Sequence, residues 1–307
     1  MRGYFTVEQI RAAEAVLFER VAAGVPMQRA ARGLATVVAE ELRERTGGIF
    51  GRHVGLLVGS GDNGGDALWA GAMLRRRGVA VTAALLNPDR AHKDGRAALR
   101  ARGGRIAADP AAELADADLV IDGIVGISGT GPLRPAAAEL VAAITAPIVA
   151  VDLPSGVDPD TGTVSGPAVT AAVTVCPGAY KRVHALAAAR CGRIALVPIG
   201  LDLPDADFWA LEPDEVGALW PVPGAGDDKY SQGVVGICAG SDRYPGAGVL
   251  SVGGAVAATS GMVRYAGSAA AQVLAAHPEV VAAPGVDAAG KVQAWVLGPG
   301  AGTDDAA

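Results

Sequence analysis

Three short segments place glycine, hydroxyl and carboxylate residues directly after apolar runs. The first, Gly59-Ser60-Gly61-Asp62-Asn63-Gly64, has G-x-G-x-x-G spacing and continues into Gly65-Asp66. A turn of this kind ordinarily presents a pyrophosphate to a helix N-terminus. Here Asp62 and Asp66 bring two carboxylates to that same terminus. They would repel a pyrophosphate unless a cation intervened, and they suit ligand hydroxyls or a metal ion better. The plain alternative is a tight glycine turn whose acids cap the helix. The second segment runs Ile121-Asp122-Gly123-Ile124-Val125-Gly126-Ile127-Ser128-Gly129-Thr130-Gly131. It is a hydroxyl-bearing loop after a strand-end acid, and Gly129 and Gly131 expose N–H groups that can cradle a phosphate; otherwise it is a simple connection. The third is Val151-Asp152-Leu153-Pro154-Ser155-Gly156-Val157-Asp158. One strand-end aspartate is often only a helix cap, but three on successive parallel strands form a convergent acidic cluster. Lys181, after Gly178-Ala179-Tyr180, is either a solvated surface group or a phosphate-binding or acid–base group.

The elements that position these segments alternate in type. Thr6-Val7-Glu8-Gln9 is a capping-box pattern, and Ile10, Ala13, Leu17 and Val21 follow at helical spacing. Pro26 starts a second helix reaching about residue 45. Apolar runs predict strands at 53–58, 79–86, 119–122, 148–152, 169–175 and 194–197. Helices are expected at 65–77, 93–102 and 135–144. This alternation predicts an α/β fold with a mostly parallel sheet covered on both faces. Ligands of such folds lie at the carboxyl ends of the strands, which is where the three segments fall.

Composition bounds the answer further. At 307 residues, 50% hydrophobic and 19% charged, the chain can bury a core and has room for two domains. Aromatics are 4%, so Ala, Val, Leu and Ile must fill the interior. A net charge of −6 argues against a nucleic-acid partner held through phosphates. No Lys/Arg run suggests a polybasic membrane patch. Three widely spaced cysteines, Cys176, Cys191 and Cys238, make neither a disulfide framework nor a zinc site. The N-terminus lacks a signal peptide pattern. Pro245 to Val263 carries no charge, but its Gly, Ala and Ser content reads as a buried, close-packed helix. A soluble cytoplasmic protein is expected.

A boundary is expected at 212–226, a linker containing Pro213, Pro221 and Pro223. Beyond it, residues 227–307 begin a second unit: a strand at 234–239, a glycine turn, an Ala/Gly-rich helix and a strand at 294–297. Two or three strands and one helix do not close a sheet domain, so this unit reads as incomplete.

Taken together, the three segments resemble the YjeF N-terminal family, the NAD(P)H-hydrate epimerases. The family's Asn-Asn-Gly-Gly-Asp motif appears as Asp62-Asn63-Gly64-Gly65-Asp66, its glycine loop as Gly126 to Pro132, and its Asp-x-Pro-Ser-Gly motif as Asp152 to Gly156. The resemblance covers about residues 6–211. It implies a Rossmann-like three-layer sandwich, commonly a homodimer, with a potassium ion held by Asn63, Asp122 and Ser155. It further implies a hydrate site lined by Asp62, Asn63, Gly64, Gly65, Asp66, Gly126, Ile127, Ser128, Gly129, Thr130, Gly131, Pro132 and Asp152. Asp62 departs from the usual Asn and adds a negative charge beside the ion. The second unit, through Lys229 to Gly233, Ala239-Gly240-Ser241 and Gly246-Ala247, resembles the start of the ADP- or ATP-dependent NAD(P)H-hydrate dehydratases, which are ribokinase-like. Ala247 and Gly302 are its expected substrate contacts. The late nucleotide motif of that family lies past Ala307, so dehydration by these residues alone is not expected.

The implied activity is epimerisation of NAD(P)H hydrates at C6 of the nicotinamide ring, with Asp122 the leading acid–base residue and Lys181 a second. Two other readings are an NAD-dependent oxidoreductase using the glycine turn and a non-catalytic nucleotide-binding module. Acids at the turn and a missing ribose-binding acid count against the first; the intact Asp122 and Asp152 count against the second.

Overall fold

The computed structural model describes residues 1–220, 222–258 and 261–302. The chain forms two compact units, Met1–Leu211 and Glu212–Ala307. The first comprises β1 (Arg2–Tyr4), α1 (Val7–Arg20), α2 (Val25–Thr46), β2 (His53–Val58), α3 (Asp62–Arg75), β3 (Ala80–Leu85), α4 (Lys93–Ala101), β4 (Arg105–Ile106) and α5 (Pro110–Leu114). It continues with β5 (Leu119–Gly123), α6 (Pro135–Ala143), β6 (Ile148–Val151), β7 (Val173–Pro177), α7 (Val183–Leu186), α8 (Ala188–Cys191), β8 (Arg193–Val197) and β9 (Phe208–Ala210).

Seven strands make one parallel sheet in the order β4-β3-β2-β5-β6-β7-β8. Both faces are covered, which is why its central strands are continuous apolar runs rather than alternating ones. In β2, Val54, Leu56 and Val58 pack with α2 and α3 residues such as Leu34, Val38, Leu68 and Leu74. Leu57, on the opposite face, packs with Leu114, Leu133 and Ala137 from the α5–α6 side. The result is a three-layer α/β sandwich. Thr6 caps α1 as expected, with Gln9 completing the reciprocal box.

Two elements differ in extent from the sequence expectation. Helix α3 begins at Asp62 rather than Gly65, so the acidic motif is its first turn and not the loop before it. The strand expected at 169–175 is paired only from Val173. Val169 is buried, but it donates its N–H to the Ser155 carbonyl instead of joining the ladder. Apolar burial and strand pairing are separate conditions, and here only the first holds.

The second unit contains α9 (Pro213–Leu219), β10 (Val234–Cys238), α10 (Pro245–Ala258), β11 (Met262–Ala266), α11 (Ala270–Ala276), β12 (Val281–Ala283) and β13 (Ala294–Leu297). Its four strands are parallel in the order β12-β11-β10-β13. Its core gathers Ile237, Val252, Val263, Tyr265 and Val273. Part of the expected linker is therefore helical, although Pro221 within it lies outside the described residues. The uncharged run 245–263 is not one buried helix. The helix spans Pro245–Ala258, with Gly248 and Val252 buried and Leu250 exposed, and the run resumes as strand β11. Residues 259–260 of that run, and residues 303–307 of the second unit, lie outside the described residues. Among the described residues, no helix is long and apolar enough to cross a membrane.

Candidate active site

A cavity of about 1120 Å³ opens at the carboxyl ends of β2, β5 and β6. Its floor is built by the β2–α3 turn, by all of Gly126 to Pro132, and by Asp152. Lys181 lines it from beyond β7, and α1 and α2 close it with Arg11, Glu14, Phe18 and Met27. Asp62, Asn63 and Asp66 also face it. Gly64 and Gly65 do not: both are buried, and a Cβ on Gly65 would meet Met27 and His92. These two glycines serve helix packing. Close backbone approach is also why Gly59 must be glycine, since a Cβ there would run into the Ile124 carbonyl.

Asp152 has the most constrained geometry of the group. It is the one non-glycine residue with positive φ among those described, at +72°. The Leu153 N–H donates back to the Val151 carbonyl at 2.8 Å, closing a three-residue turn around it. Such backbone persists only where the surroundings over-determine it. Here Oδ1 accepts from Lys181 Nζ at 2.6 Å, and Oδ2 accepts from the Ile127 N–H at 3.1 Å.

Lys181 is 2% exposed. Its ammonium also donates to the Pro177 carbonyl at 2.7 Å and to Cys176 Sγ at 3.7 Å. Burial works against its charge, but the Asp152 charge outweighs that and holds the lysine above its usual range. It is thus a fixed cation inside the site, neither a solvated surface group nor a neutral base. His184 clamps both partners. Its Nδ1 accepts from the Lys181 backbone N–H at 3.0 Å, so Nε2 carries the proton and donates to the Asp152 carbonyl at 2.8 Å. Burial, then the Lys181 charge, push this histidine down to about 4, keeping it neutral. Burial likewise pushes Cys176 up to about 12, so it remains a thiol.

Asp122 is placed differently. It is fully buried and does not line the cavity. Its Oδ1 accepts from Ser155 Oγ at 2.7 Å and from the Ile124 N–H at 3.2 Å, while Oδ2 accepts from the Ser155 N–H at 2.9 Å. Burial pushes its carboxyl up to about 6 in spite of these three donors. Asp122 was the expected acid–base residue; the structure sets it beneath the cavity wall rather than on it. Ser155, also fully buried, holds the adjoining loop by accepting from the Val125 N–H at 3.1 Å. Asn63 donates its amide N–H to the Val151 carbonyl at 2.7 Å, which turns its Oδ1 toward Gly126. A Cβ at Gly126 would lie 2.5 Å from Asn63 Oδ1 and 2.6 Å from Asp152 Oδ2. The trio Asn63, Asp122 and Ser155 offers amide, carboxylate and hydroxyl oxygens with a single formal charge. That is a donor set for a hard cation of low charge, and it fits potassium.

Acids crowd the remaining wall. Asp66 is buried, and its Oδ1 has no hydrogen-bond partner. Burial, then the charges of Asp152, Asp62 and Glu14, hold it well above the usual carboxylate range. Glu14, which falls in none of the three motif segments, is raised by burial and by Asp152 and Asp62, against the opposing charges of Lys181 and Arg11. Its signal was present in the sequence: a carboxylate on the stripe that buries Ile10, Ala13 and Leu17. In the second unit, Ala247 lies in the first turn of α10 beside Gly300, where an added Cβ would lie 2.9 Å from the Ala247 Cβ; Gly302 is exposed, with φ of +101°.

Comparison with known proteins gives the same division. Residues 24–183 match the model of the YjeF-related protein N-terminus, and residues 235–307 match that of NAD(P)H-hydrate dehydratase. The bifunctional NAD(P)H-hydrate repair enzyme Nnr of Mycobacterium tuberculosis is 60% identical over the whole chain, which spans 64% of that protein's length. An NAD(P)H-hydrate epimerase of Clavibacter sepedonicus is 41% identical, covering 66% of this chain and 93% of that protein. The crystal structure of the yeast protein YNL200c superimposes with a TM-score of 0.55 over 69% of this chain and 98% of its own, at 20% identity, so the likeness is one of fold. With its motif residues assembled around one cavity and the family model matched across them, the chain belongs to the YjeF-related N-terminal family.

Proposed function

We propose that the unit Met1–Leu211 is an NAD(P)H-hydrate epimerase, interconverting the R and S forms of hydrated NADH and NADPH at C6. The observation that carries this reading is Asp152, strained, ion-paired to Lys181 and facing a large cavity at the strand ends. The substrate carbon bears a hydroxyl beside the ring nitrogen, so inversion needs no C–H cleavage. Protonation and departure of the hydroxyl leave an iminium, and water returns to the other face. A positioned acid–base group contributes about 10²–10⁴-fold to such a step. Asp152, rather than Asp122, is the group with access to the substrate. Lys181 ion-pairs with it, His184 fixes the backbone of both, and Ser128, Thr130 and Gly131 offer N–H groups to the nucleotide phosphates.

Asn63, Asp122 and Ser155 would hold potassium, whose bound charge offsets the buried Asp122 carboxylate and the neighbouring acids. The unit works as a homodimer in the cytoplasm, on small-molecule hydrates, with no nucleic-acid or membrane partner. The second unit belongs to a nucleotide-dependent dehydratase half that uses ADP or ATP, with Ala247 and Gly302 at its substrate site. The test is chromatographic separation of the two hydrates after incubation of pure (R)-hydrate with the protein. Appearance of the S form, faster with potassium, is expected; no conversion in the presence of potassium would overturn the reading.

A further inference from the structure

Glu14 occupies a position that sequence patterning reserves for an apolar side chain. It lies one turn after Ile10 on the stripe of α1 that buries Ile10, Ala13 and Leu17. An amphipathic helix places charge on its outer face, so a carboxylate on the inner one calls for a partner or a task. It is not a cap, because Thr6 and Gln9 cap this helix between them. Among the described residues it forms no ion pair or hydrogen bond through its side chain. It faces the cavity instead, together with Asp152, Asp62, Asp66 and Lys181.

The helix is held in that position by its own first residues. The Phe5 N–H donates to the Tyr180 carbonyl at 2.9 Å and the Arg182 N–H donates to the Phe5 carbonyl at 3.2 Å, so the chain leading into α1 flanks Lys181. The Val7 N–H donates to Asp160 Oδ1 at 2.9 Å, just past the Asp152 loop. Glu14 is therefore presented to the site from the helical wall, while Asp152 rises from the strand ends.

We infer that Glu14 is a second proton carrier of this site, the acid that protonates the departing C6 hydroxyl while Asp152 receives the proton of the incoming water. The inference rests on the epimerase reading above. In the outgoing half, the Glu14 proton passes to the hydroxyl oxygen. The C6–O bond breaks with its electron pair on oxygen, water leaves, and the ring nitrogen lone pair forms the C=N⁺ bond. In the returning half, water forms a new C6–O bond from the opposite face, the C=N⁺ electrons return to nitrogen, and the Asp152 carboxylate takes the proton; exchange with water in the open cavity then removes that proton from Asp152 and reprotonates Glu14 for the next turnover. One water leaves and one enters, and nothing is oxidised or reduced.

The two carboxyl groups have the split environments that acid and base roles require. Asp152 is ion-paired to the buried Lys181 ammonium at 2.6 Å. Glu14 has Lys181 and Arg11 as opposing cations, but burial and the charges of Asp152 and Asp62 prevail and favour its protonated form. Asp66, from α3, adds a further acid to the same wall.

The experiment measures kcat and KM for (R)-hydrate epimerisation against pH, with potassium present, for the wild-type protein, Glu14→Gln and Glu14→Asp. Melting temperatures are recorded in parallel. Glu14→Gln is expected to lose about 10²-fold or more in kcat with KM little changed. It is also expected to lose the fall in rate on the alkaline side, where the wild-type acid deprotonates. Glu14→Asp should restore most of that limb. A Glu14→Gln protein with wild-type kcat and pH profile would overturn the assignment. So would equal losses in both variants that follow a lowered melting temperature, the mark of a structural role. An inactive wild type would overturn the epimerase reading itself, an outcome distinct from an active wild type matched by an active Glu14→Gln.

Discussion

The ends of β5 and β6 are neighbouring solutions to one sequence pattern, an aspartate closing an apolar strand, and they are put to opposite uses. Asp122 is enclosed, receives three hydrogen bonds from Ser155 and Ile124, and has no ion pair among the described residues. Asp152, one strand away, is turned out by a positive φ, meets a buried lysine, and shows its carboxylate to the cavity. The strand brings each acid to the same level; the loop that leaves it decides the role. After β5 the chain continues as a glycine loop that wraps the acid. After β6 it makes a tight turn into Pro154 that thrusts the acid outward. Strand-end position alone thus identifies a site and says little about which acid in it does chemistry.

The comparison can be broken most directly at Asp152. Replacement by Asn is expected to lower epimerisation by about 10²–10⁴-fold. It also leaves the Lys181 ammonium buried without its partner, for which about 3–5 kcal/mol of destabilisation is typical. Steady-state kinetics and thermal melts read the two effects separately. Asp122→Asn, assayed at saturating potassium, should stay within about tenfold of wild type; losses equal to those of Asp152→Asn would erase the distinction. A smaller effect is expected at Gly126, where an added Cβ would crowd both Asn63 and Asp152. Gly126→Ala should cost roughly tenfold in kcat/KM, about 1.4 kcal/mol, because one of those side chains must give way. A full-rate Gly126→Ala protein would show the loop to be looser than these contacts require.

The smallest effect concerns pH and the ion. The Asp122 carboxyl is raised from 3.8 to about 6 in the folded chain, so the folded state holds the proton more tightly. Stability from this group is therefore present below about pH 4 and is lost as pH rises through about 6. A cation bound beside the carboxylate reverses that loss. Potassium should accordingly raise the melting temperature by a few degrees more at pH 8 than at pH 5, and Asp122→Asn should abolish the difference. An equal gain at both pH values, or a gain that survives the substitution, would place the ion elsewhere.

Much of the fold was legible because long apolar runs and caps are local signals. The strand His53–Val58 and the Thr6–Gln9 capping box stand where the sequence puts them. The start of α3 was misplaced because two consecutive glycines, Gly64 and Gly65, read as a turn; they lie in the helix, and they are glycine because Gly59, Met27 and His92 approach too closely for side chains. The pairing of β1 with β9 spans three residues on each side and has no periodicity to detect. The acidic motifs predicted the cavity floor, since each lies next to a strand end. They could not reveal that Asp122 is sealed off, because that depends on Ser155 and Ile124 folding back over it. Nor could they show that His184 and Cys176 support Lys181. Glu14 was hidden in another way: it sits within a helical stripe, and the apolar residues around it attract the attention.

The pairing of Arg2–Tyr4 with Phe208–Ala210 has a consequence for how the unit is made and reused. Its two chain ends lie side by side, antiparallel, as the two edges of one ribbon. A nascent chain can bury its sheet as the strands emerge, yet it cannot pair Arg2–Tyr4 until residue 210 has left the ribosome. Once shut, the unit begins and finishes at one place on its surface. It can be joined to another unit, or set into a longer chain, without any strand of its sheet being re-threaded.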